Sequence, residues 1–289
     1  MNKTELLKRI SNLSVWKKGD QRAPHKPLLI LFALGQWQLT GQRHFLYVNV
    51  KPKLVELLTE FGPKRKSYHP EQPFVRLERD GIWELDKSIL MSDSFNKSLI
   101  DYHVSGGFTE EVYQLLESDG ALLDQIANSL LEQHFPETLH NEILQSVGLQ
   151  LIYYRRRKRN PEFREKVLSA YQYQCAICGF QVKLNQQLIG LEAAHIKWHN
   201  IGGPDTEENG LALCALHHNL FDRGVFAVSH DYKIHVSEHA IGKGSFNDFV
   251  KRYDKRLICK PKQKNYLPSE EFIHWHLKEV YKGDIENML

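Results

Sequence analysis

Between Cys175 and Asp222 the chain carries a pattern of metal-seeking side chains that limits its possible folds more than any other stretch. It reads Cys175-x-x-Cys178, then Glu192-Ala193-Ala194-His195, then Asn209-Gly210, then Cys214-x-x-His217-His218, with Asp222 four residues beyond His218. Structural zinc sites are tetrahedral, and ligands two residues apart hold the metal from a single turn. Two such clips, Cys175/Cys178 and Cys214/His217, predict a structural Zn²⁺ that ties the front of a small domain to its last helix. On a helix His217 and His218 point about 100° apart. His217 repeats the gap of the first clip and goes to zinc, so His218 faces elsewhere, on the side of Asp222. That i, i+4 pair suits a hard divalent ion such as Mg²⁺ or Mn²⁺. The remaining His, Asn, His and Asp are the groups that a hydrolytic metal site acting on a phosphodiester requires.

At 289 residues the chain has room for two domains, each with its own core. A net charge of +3 says little about partners, but local charge says more. Residues 155–159 are an unbroken basic run, and residues 251–264 hold seven Lys/Arg against one acid, Asp254. Either stretch can face phosphates, and either can equally be a solvated linker or tail. Three of the four cysteines belong to the metal pattern, leaving Cys259, which fits a reducing compartment rather than a disulfide framework. The first residues are charged and lack an apolar signal core. No apolar run approaches the roughly 20 residues that span a bilayer. A cytoplasmic protein is expected.

Apolar spacing predicts an amphipathic helix over residues 1–14, with Leu6, Leu7, Ile10 and Leu13 on one side. A polar, Pro-broken loop follows, and Pro27 suits the first position of a helix running to about Leu39, apolar nearly all round and hence buried. Residues 51–61 read as a helix, and residues 74–79 and 82–85 as a hairpin around Asp80-Gly81. Ser105-Gly106-Gly107-Phe108 reads as a flexible turn before a helix at 110–116, and helices at 122–135 and 139–149 end a first domain near residue 150. Beyond it the order is a helix at 161–173, the Cys clip, an apolar stretch at 188–196, a Gly202-Gly203-Pro204 loop, a strand from Asn209 and a helix from about Cys214. Two short strands within 225–236 and a helix at 269–281 complete it.

Residues 170–240 resemble the HNH, or ββα-metal, nucleases, and most of all the branch found in restriction enzymes directed at modified DNA. Cys175-x-x-Cys178, Ala194-His195-Ile196, Asn209-Gly210-Leu211-Ala212-Leu213-Cys214 and His217-His218-x-x-Phe221-Asp222-x-Gly224 carry the resemblance. It implies that His195, Asn209 and His218 are the three letters of the motif. Hydrolysis needs an activated water and a cation on the developing charge. His195, at a strand end, takes a proton from water at neutral pH. Asn209 is no base, and its amide suits holding the His195 loop by hydrogen bonds. His218 would ligate the ion that stabilises the leaving 3′ oxygen. Many relatives place an Asp or His ligand just before the first motif His, where this chain has Ala194. Asp222, Glu192 or water takes that place, and Glu192 is equally a candidate for a structural salt bridge.

The N-terminal domain would choose the target. Arg22, His25 and Lys26, then Tyr68, His69, Gln72, Pro73, Phe74 and Arg76, then Gly106 and Gly107 stand out. Cationic and imidazole groups suit phosphates and base edges, proline and aromatic groups form an apolar dent, and glycines admit a backbone close to a sugar-phosphate chain. Residues 5–110 resemble the sulfur-binding domain of restriction enzymes acting on phosphorothioated DNA. There a shallow hydrophobic cavity accepts the sulfur that replaces a non-bridging oxygen, because sulfur is larger, softer and less hydrated. The resemblance implies that Gln72, Pro73 and Phe74 line the cavity and that Arg22, His25 and Lys26 touch DNA beside it. The family often has an aromatic residue where Gln72 stands. Phe74, Trp83 and Phe108 also read as plain core.

Together these readings give an α+β protein. Residues 1–150 form a helix-rich DNA-reading domain, and residues 151–289 a zinc-stabilised ββα-metal (HNH) nuclease with a basic C-terminal tail. The expected activity is divalent-metal hydrolysis of phosphodiesters near phosphorothioate marks in double-stranded DNA. A homodimer is expected because cutting both strands needs two active sites. The alternatives are an HNH endonuclease for methylated or otherwise modified DNA, and a zinc-containing DNA-binding regulator with an idle centre.

Overall fold

The computed structural model describes residues 1–14, 19–89, 95–153, 161–285 and 288. The basic run at 155–159 therefore lies outside the described residues. The chain divides into two compact units, Met1–Arg156 and Arg157–Leu289. No described helix is long and apolar enough to cross a membrane.

The first unit is mostly helical. Helix α1 (Lys3–Ser11) starts where the Asn2 side chain accepts a hydrogen bond from the Glu5 amide, and it buries Leu6 and Ile10. Helix α2 (His25–Thr40) is buried continuously from Lys26 to Gly35, as its all-round apolar sequence demands. Pro27 falls in its first turn rather than at its start, still where no amide is needed. Strand β1 (His44–Leu46), helix α3 (Tyr47–Phe61), helix α4 (Glu71–Arg76), strand β2 (Trp83–Leu85), helix α5 (Phe95–Asp101) and strand β3 (Ser105–Phe108) follow. Helices α6 (Glu110–Ser118), α7 (Leu122–His134) and α8 (Glu137–Val147) close the unit.

Two expectations are corrected here. Residues 74–79 are not one arm of a hairpin but the end of α4 and a 3₁₀ turn over Leu77–Asp80. Phe74, Val75 and Leu77 are buried, a one-two-four spacing that a helix satisfies. Pro70 and Pro73 sit where helix entry tolerates missing amides. Second, Ser105–Phe108 is not a flexible turn but the central strand of an antiparallel sheet ordered β1-β3-β2. The missing signal is space: a Cβ on Gly107 would stand 1.8 Å from the Arg43 carbonyl oxygen. One on Gly106 would meet the side chains of Leu85, Trp83 and Phe74 at 2.8–2.9 Å. Tyr47, Phe74, Trp83 and Phe108 form a chain of edge-to-face rings beneath this sheet, with centroids 5.0, 5.6 and 5.9 Å apart.

The second unit opens with helix α9 (Pro161–Ala170) and a hairpin of β4 (Val182–Leu184) and β5 (Gln187–Ile189). Strands β6 (Leu191–His195) and β7 (Gly210–Cys214) pair antiparallel, and helix α10 (Ala215–Asp222) follows. The register sets Leu191 opposite Cys214 and His195 opposite Gly210. The zinc-type ligand Cys214 and the motif histidine His195 therefore mark opposite ends of one ribbon, about 13 Å apart at strand rise. Strands β8 (Phe226–Val228) and β9 (Ile234–Val236), the short helix α11 (Phe246–Phe249) and helix α12 (Glu270–Glu279) complete the unit.

The helix expected at 269–281 is α12, and it packs into the unit. Ile273, Leu277 and Tyr281 are buried with Ala227, His276 stacks on Phe221 at 3.8 Å, and Trp275 meets Trp198 edge-on at 5.8 Å. A ββα core this small leaves α10 half-covered, and α12 supplies the missing apolar face.

Gly107→Ala should destabilise the first unit by about 3 kcal/mol or more, because its new Cβ meets backbone. Gly106→Ala, which meets side chains that shift, should cost about 1–3 kcal/mol. Urea unfolding followed by circular dichroism measures both, and equal midpoints for the two variants would contradict the close-approach account.

Candidate functional site

Cys175, Cys178, Cys214 and His217 place one ligand atom each within 4.8 Å of all the others. Cys175 and Cys178 lie on a turn closed by the Gly179 amide donating to the Cys175 carbonyl. Cys214 ends β7 and His217 lies one turn into α10. His217 Nδ1 stands 3.1 Å from Cys214 Sγ and 3.5 Å from Cys175 Sγ, while its Nε2 bonds the Phe249 carbonyl at 2.8 Å. That backbone bond puts the proton on Nε2 and turns Nδ1 toward the sulfurs. Hydrogen bonds from Cys175, then Cys178, hold the Cys214 thiol well below its usual range. Three sulfurs and one imidazole at these spacings fit tetrahedral zinc.

The three motif residues come from three places on this frame: His195 at the far end of β6, Asn209 just before β7, and His218 on α10 against Glu192 of β6. His195 ends β6, four-fifths shielded from solvent, and its Nε2 lies 2.8 Å from Asp205 Oδ1. Phe163 stacks on the imidazole at 3.9 Å, and His199 approaches edge-on at 5.7 Å. Burial lowers the His195 pKa and outweighs the nearby Asp205 carboxylate, so the ring is neutral and able to accept a proton at neutral pH.

Asn209 is fully buried. Its Oδ1 accepts the Lys197 amide at 2.8 Å, and its Nδ2 donates to the Lys197 carbonyl at 3.0 Å and the Pro204 carbonyl at 2.9 Å. These bonds tie the backbone at Lys197 to that at Pro204. Gly203 makes the closure possible, since a Cβ there would lie 1.9 Å from the Lys197 carbonyl oxygen.

His218 is buried on α10 between two carboxylates. Its Nδ1 is 2.5 Å from Glu192 Oε2, and its Nε2 is 3.2 Å from Asp222 Oδ2. Burial pushes its pKa down, but Asp222 and Glu192 outweigh burial and raise it to about 9. A buried imidazole that holds a proton so firmly marks a site with a strong demand for positive charge. The two carboxylates sit on opposite ring nitrogens, so an ion on one nitrogen shares His218 with only one of them. Asp205, His199 and Phe163 did not stand out in the sequence. Asp205 had a signal, because it ends the Gly202-Gly203-Pro204-Asp205 loop between the first two motif letters.

In the first unit the expected DNA-contacting residues divide by exposure. Arg22 is buried and donates to the Phe61 carbonyl at 2.5 Å. Lys26 is buried in an ion pair with Asp80. Phe74 is wholly buried, and Gly106 and Gly107 lie inside the sheet, so these five hold the fold rather than present a surface. Pro73 is buried beside Phe74, while Gln72 is half-buried. His25 and Tyr68 are half-buried, and His69 and Arg76 are exposed. His69 faces Glu71 at 3.0 Å and Ser67 at 3.1 Å. Lys64, Arg65 and Lys66 form an exposed basic stretch just after α3. Burial, then the charge of Arg65, then His69 lower the His25 pKa to about 4, so His25 is a neutral hydrogen-bonding group there and not a cation.

A family model for the ScoMcrA-like DNA sulfur-binding domain matches residues 3–152, more than half of the chain. The chain belongs to that family. A second family model, for HNH endonucleases, matches residues 175–229, so the same chain carries an HNH endonuclease domain. Among solved structures, the sulfur-binding domain of SprMcrA complexed with phosphorothioated DNA is 21% identical, with a TM-score of 0.45 over 52% of this chain and 95% of that one. The corresponding ScoMcrA domain complex is 23% identical, with a TM-score of 0.43 over 50% and 94%. The modification-dependent TagI restriction endonuclease is 20% identical, with a TM-score of 0.30 over 46% and 41%. No curated protein matches the chain.

The purified chain should contain about one zinc per chain, because a closed four-ligand site takes one ion. Cys178→Ser should lower that content and the melting temperature together, since zinc binding contributes about 10 kcal/mol or more to folding such sites. Elemental analysis beside thermal melts checks this, and full zinc content in the variant would refute the ligand set. A second expectation concerns acid. His25 and His134 are both depressed from 6.5 to about 4, each chiefly by burial. Below pH 6.5 the unfolded chain binds protons that the folded one refuses, so stability should fall as pH drops from 6.5 toward 4. Melting temperatures of a His25→Gln/His134→Gln double variant should fall less steeply across that window than those of the wild type. Identical slopes would exclude these two groups as the cause.

Proposed function

We propose that this chain is a modification-dependent DNA endonuclease that recognises phosphorothioated double-stranded DNA and hydrolyses phosphodiester bonds nearby. The observation that carries the reading is the co-occurrence, on one chain, of a matched DNA sulfur-binding domain and a motif centre complete in His195, Asn209 and His218. Unit Met1–Arg156 is assigned the reading and unit Arg157–Leu289 the cutting. A regulator with an idle centre would have no use for an intact neutral base at His195.

The geometry supports the following roles. Cys175, Cys178, Cys214 and His217 would hold a structural zinc as a closed four-ligand set with no open position for chemistry. His195 accepts the proton of the attacking water. Asn209 fixes the loop on which His195 depends. His218 Nε2 and Asp222 would hold a divalent ion, Mg²⁺ or Mn²⁺, with Glu192 orienting the ring through Nδ1. Such an ion, when bound, stabilises the charge developing on the leaving 3′ oxygen. In the reading unit, the surface formed by His25, Tyr68, His69, Gln72 and Arg76, with the stretch Lys64–Arg65–Lys66, offers hydrogen-bonding and cationic groups to DNA. Pro73, buried next to the half-buried Gln72, would need to be uncovered by a shift of that side chain to offer the apolar contact that favours a poorly hydrated sulfur over a phosphate oxygen. Cleavage of both strands calls for two such centres, and a homodimer on the DNA would supply them.

The test is a cleavage assay on matched duplexes, with and without phosphorothioate linkages, in Mg²⁺ or Mn²⁺. Cutting should be confined to the modified duplex and should drop at least about 100-fold in His195→Ala, as loss of a general base implies. Equal cutting of both duplexes would leave a nuclease and remove the sulfur reading. Cutting only of methylated DNA would move the mark to the base, and selective binding with no cutting in either metal would point to a regulator.

A further inference from the structure

We propose that Asp205 is the positioning residue of the cutting centre, fixing His195 with its proton on Nε2 so that Nδ1 is the atom that takes the proton from water. The inference rests on the reading of His195 as general base.

Three observations carry it. Asp205 Oδ1 lies 2.8 Å from His195 Nε2, and a carboxylate at that distance accepts a hydrogen bond from the nitrogen that bears the proton. Phe163 lies almost parallel against the ring, 3.9 Å away with 13° between planes, which fixes the plane of the imidazole and leaves the Asp205 bond to select the nitrogen that faces it. The third observation concerns the chain between the two residues. His195 stands two residues before Lys197, and Asp205 directly follows Pro204. Asn209 Nδ2 bonds the carbonyls of both Lys197 and Pro204, so one buried amide pins the two ends of the loop that brings His195 and Asp205 together. The middle motif letter thereby keeps a base and its carboxylate in register.

The step balances without another reactant. A water O–H bond breaks and its proton passes to His195 Nδ1, while the water oxygen bonds phosphorus. The bond from phosphorus to the 3′ oxygen breaks, and the departing oxygen takes a proton from solvent. His195 becomes an imidazolium as this occurs, and the Asp205 carboxylate on Nε2 stabilises that charge as it forms. An amide at position 205 keeps the shape but loses the charge, and it is able to present an N–H that favours the wrong tautomer.

The full-length zinc-bound chain is compared as wild type, Asp205→Asn and Asp205→Glu on the same phosphorothioated duplex. Asp205→Asn should lower kcat by about 100-fold or more with KM within about 2-fold, and Asp205→Glu should recover about 10-fold of the loss. A readout independent of cleavage is the long-range ¹H–¹⁵N spectrum of the histidine side chains, with His195 assigned by its absence in His195→Gln. Wild type should show His195 protonated on Nε2, and Asp205→Asn should shift it toward the Nδ1–H form with unchanged zinc content and melting temperature. A wild-type kcat in Asp205→Asn overturns the proposal. So does a His195 that carries its proton on Nδ1 in the wild type, or one whose tautomer ignores the substitution. If the wild type cuts no DNA, the functional reading fails by itself while the spectrum still decides how His195 is held.

Discussion

The side-chain amide of Asn209 makes three hydrogen bonds to backbone, two at Lys197 and one at Pro204, and the proposed cutting centre is built around them. A lost partner at such a position costs about 1–3 kcal/mol per orphaned group, and here the groups belong to two separate turns of one loop. The backbone adds its own bond, from the Ile196 amide to the Asn209 carbonyl at 2.9 Å. Segments either side of the loop are fixed by the β6–β7 register, which sets His195 opposite Gly210. Side chain and ladder therefore constrain the same few residues from two directions. A short ribbon and one helix thereby hold the proposed base His195 and its Asp205 partner on rigid scaffold.

The same ribbon carries two sets of candidate donors that differ in chemical type. At the Cys214 end the donors are soft and closed around one point, with His217 secured from behind by the Phe249 carbonyl. The second set of donors is carboxylate and imidazole, with the buried His218 held between Asp222 and Glu192. Soft donors select zinc, and hard oxygen donors leave room for ions such as Mg²⁺ or Mn²⁺. The C-terminal helices belong to this arrangement. Phe249 orients a zinc-site ligand, the Ser269 amide bonds the Glu208 carbonyl, and His276 lies stacked on Phe221 with its Nε2 against the Phe221 carbonyl.

The cutting unit was legible in the sequence because metal spacing is local. Cys-x-x-Cys, Cys-x-x-His and an i, i+4 His/Asp pair each act within one turn, and their periodicity survives without knowledge of the fold. Asp205 and Phe163 were not legible, since each meets His195 only through tertiary closure. The helical framework of the reading unit was also visible in its apolar periodicity, α2 above all. Its binding residues were harder to read. Arg22 and Lys26 look like phosphate contacts, yet both are spent on the interior, one on the Phe61 carbonyl and one on Asp80. Gly106 and Gly107 look like a flexible loop, yet they lack side chains because Arg43 backbone and the aromatic cluster leave no volume. Composition reports charge and flexibility but not which partner already claims them.

What distinguishes a sulfur-reading surface from an ordinary phosphate-binding one is a small difference in hydration at a single atom. The most direct measurement is the dissociation constant of the cleavage-dead His195→Ala chain for a short duplex carrying one phosphorothioate, against the same duplex carrying only phosphates, at fixed salt. The proposed function predicts tighter binding to the sulfur-bearing duplex by about 10-fold or more, equivalent to about 1.4 kcal/mol. Equal affinity for the two duplexes would contradict it.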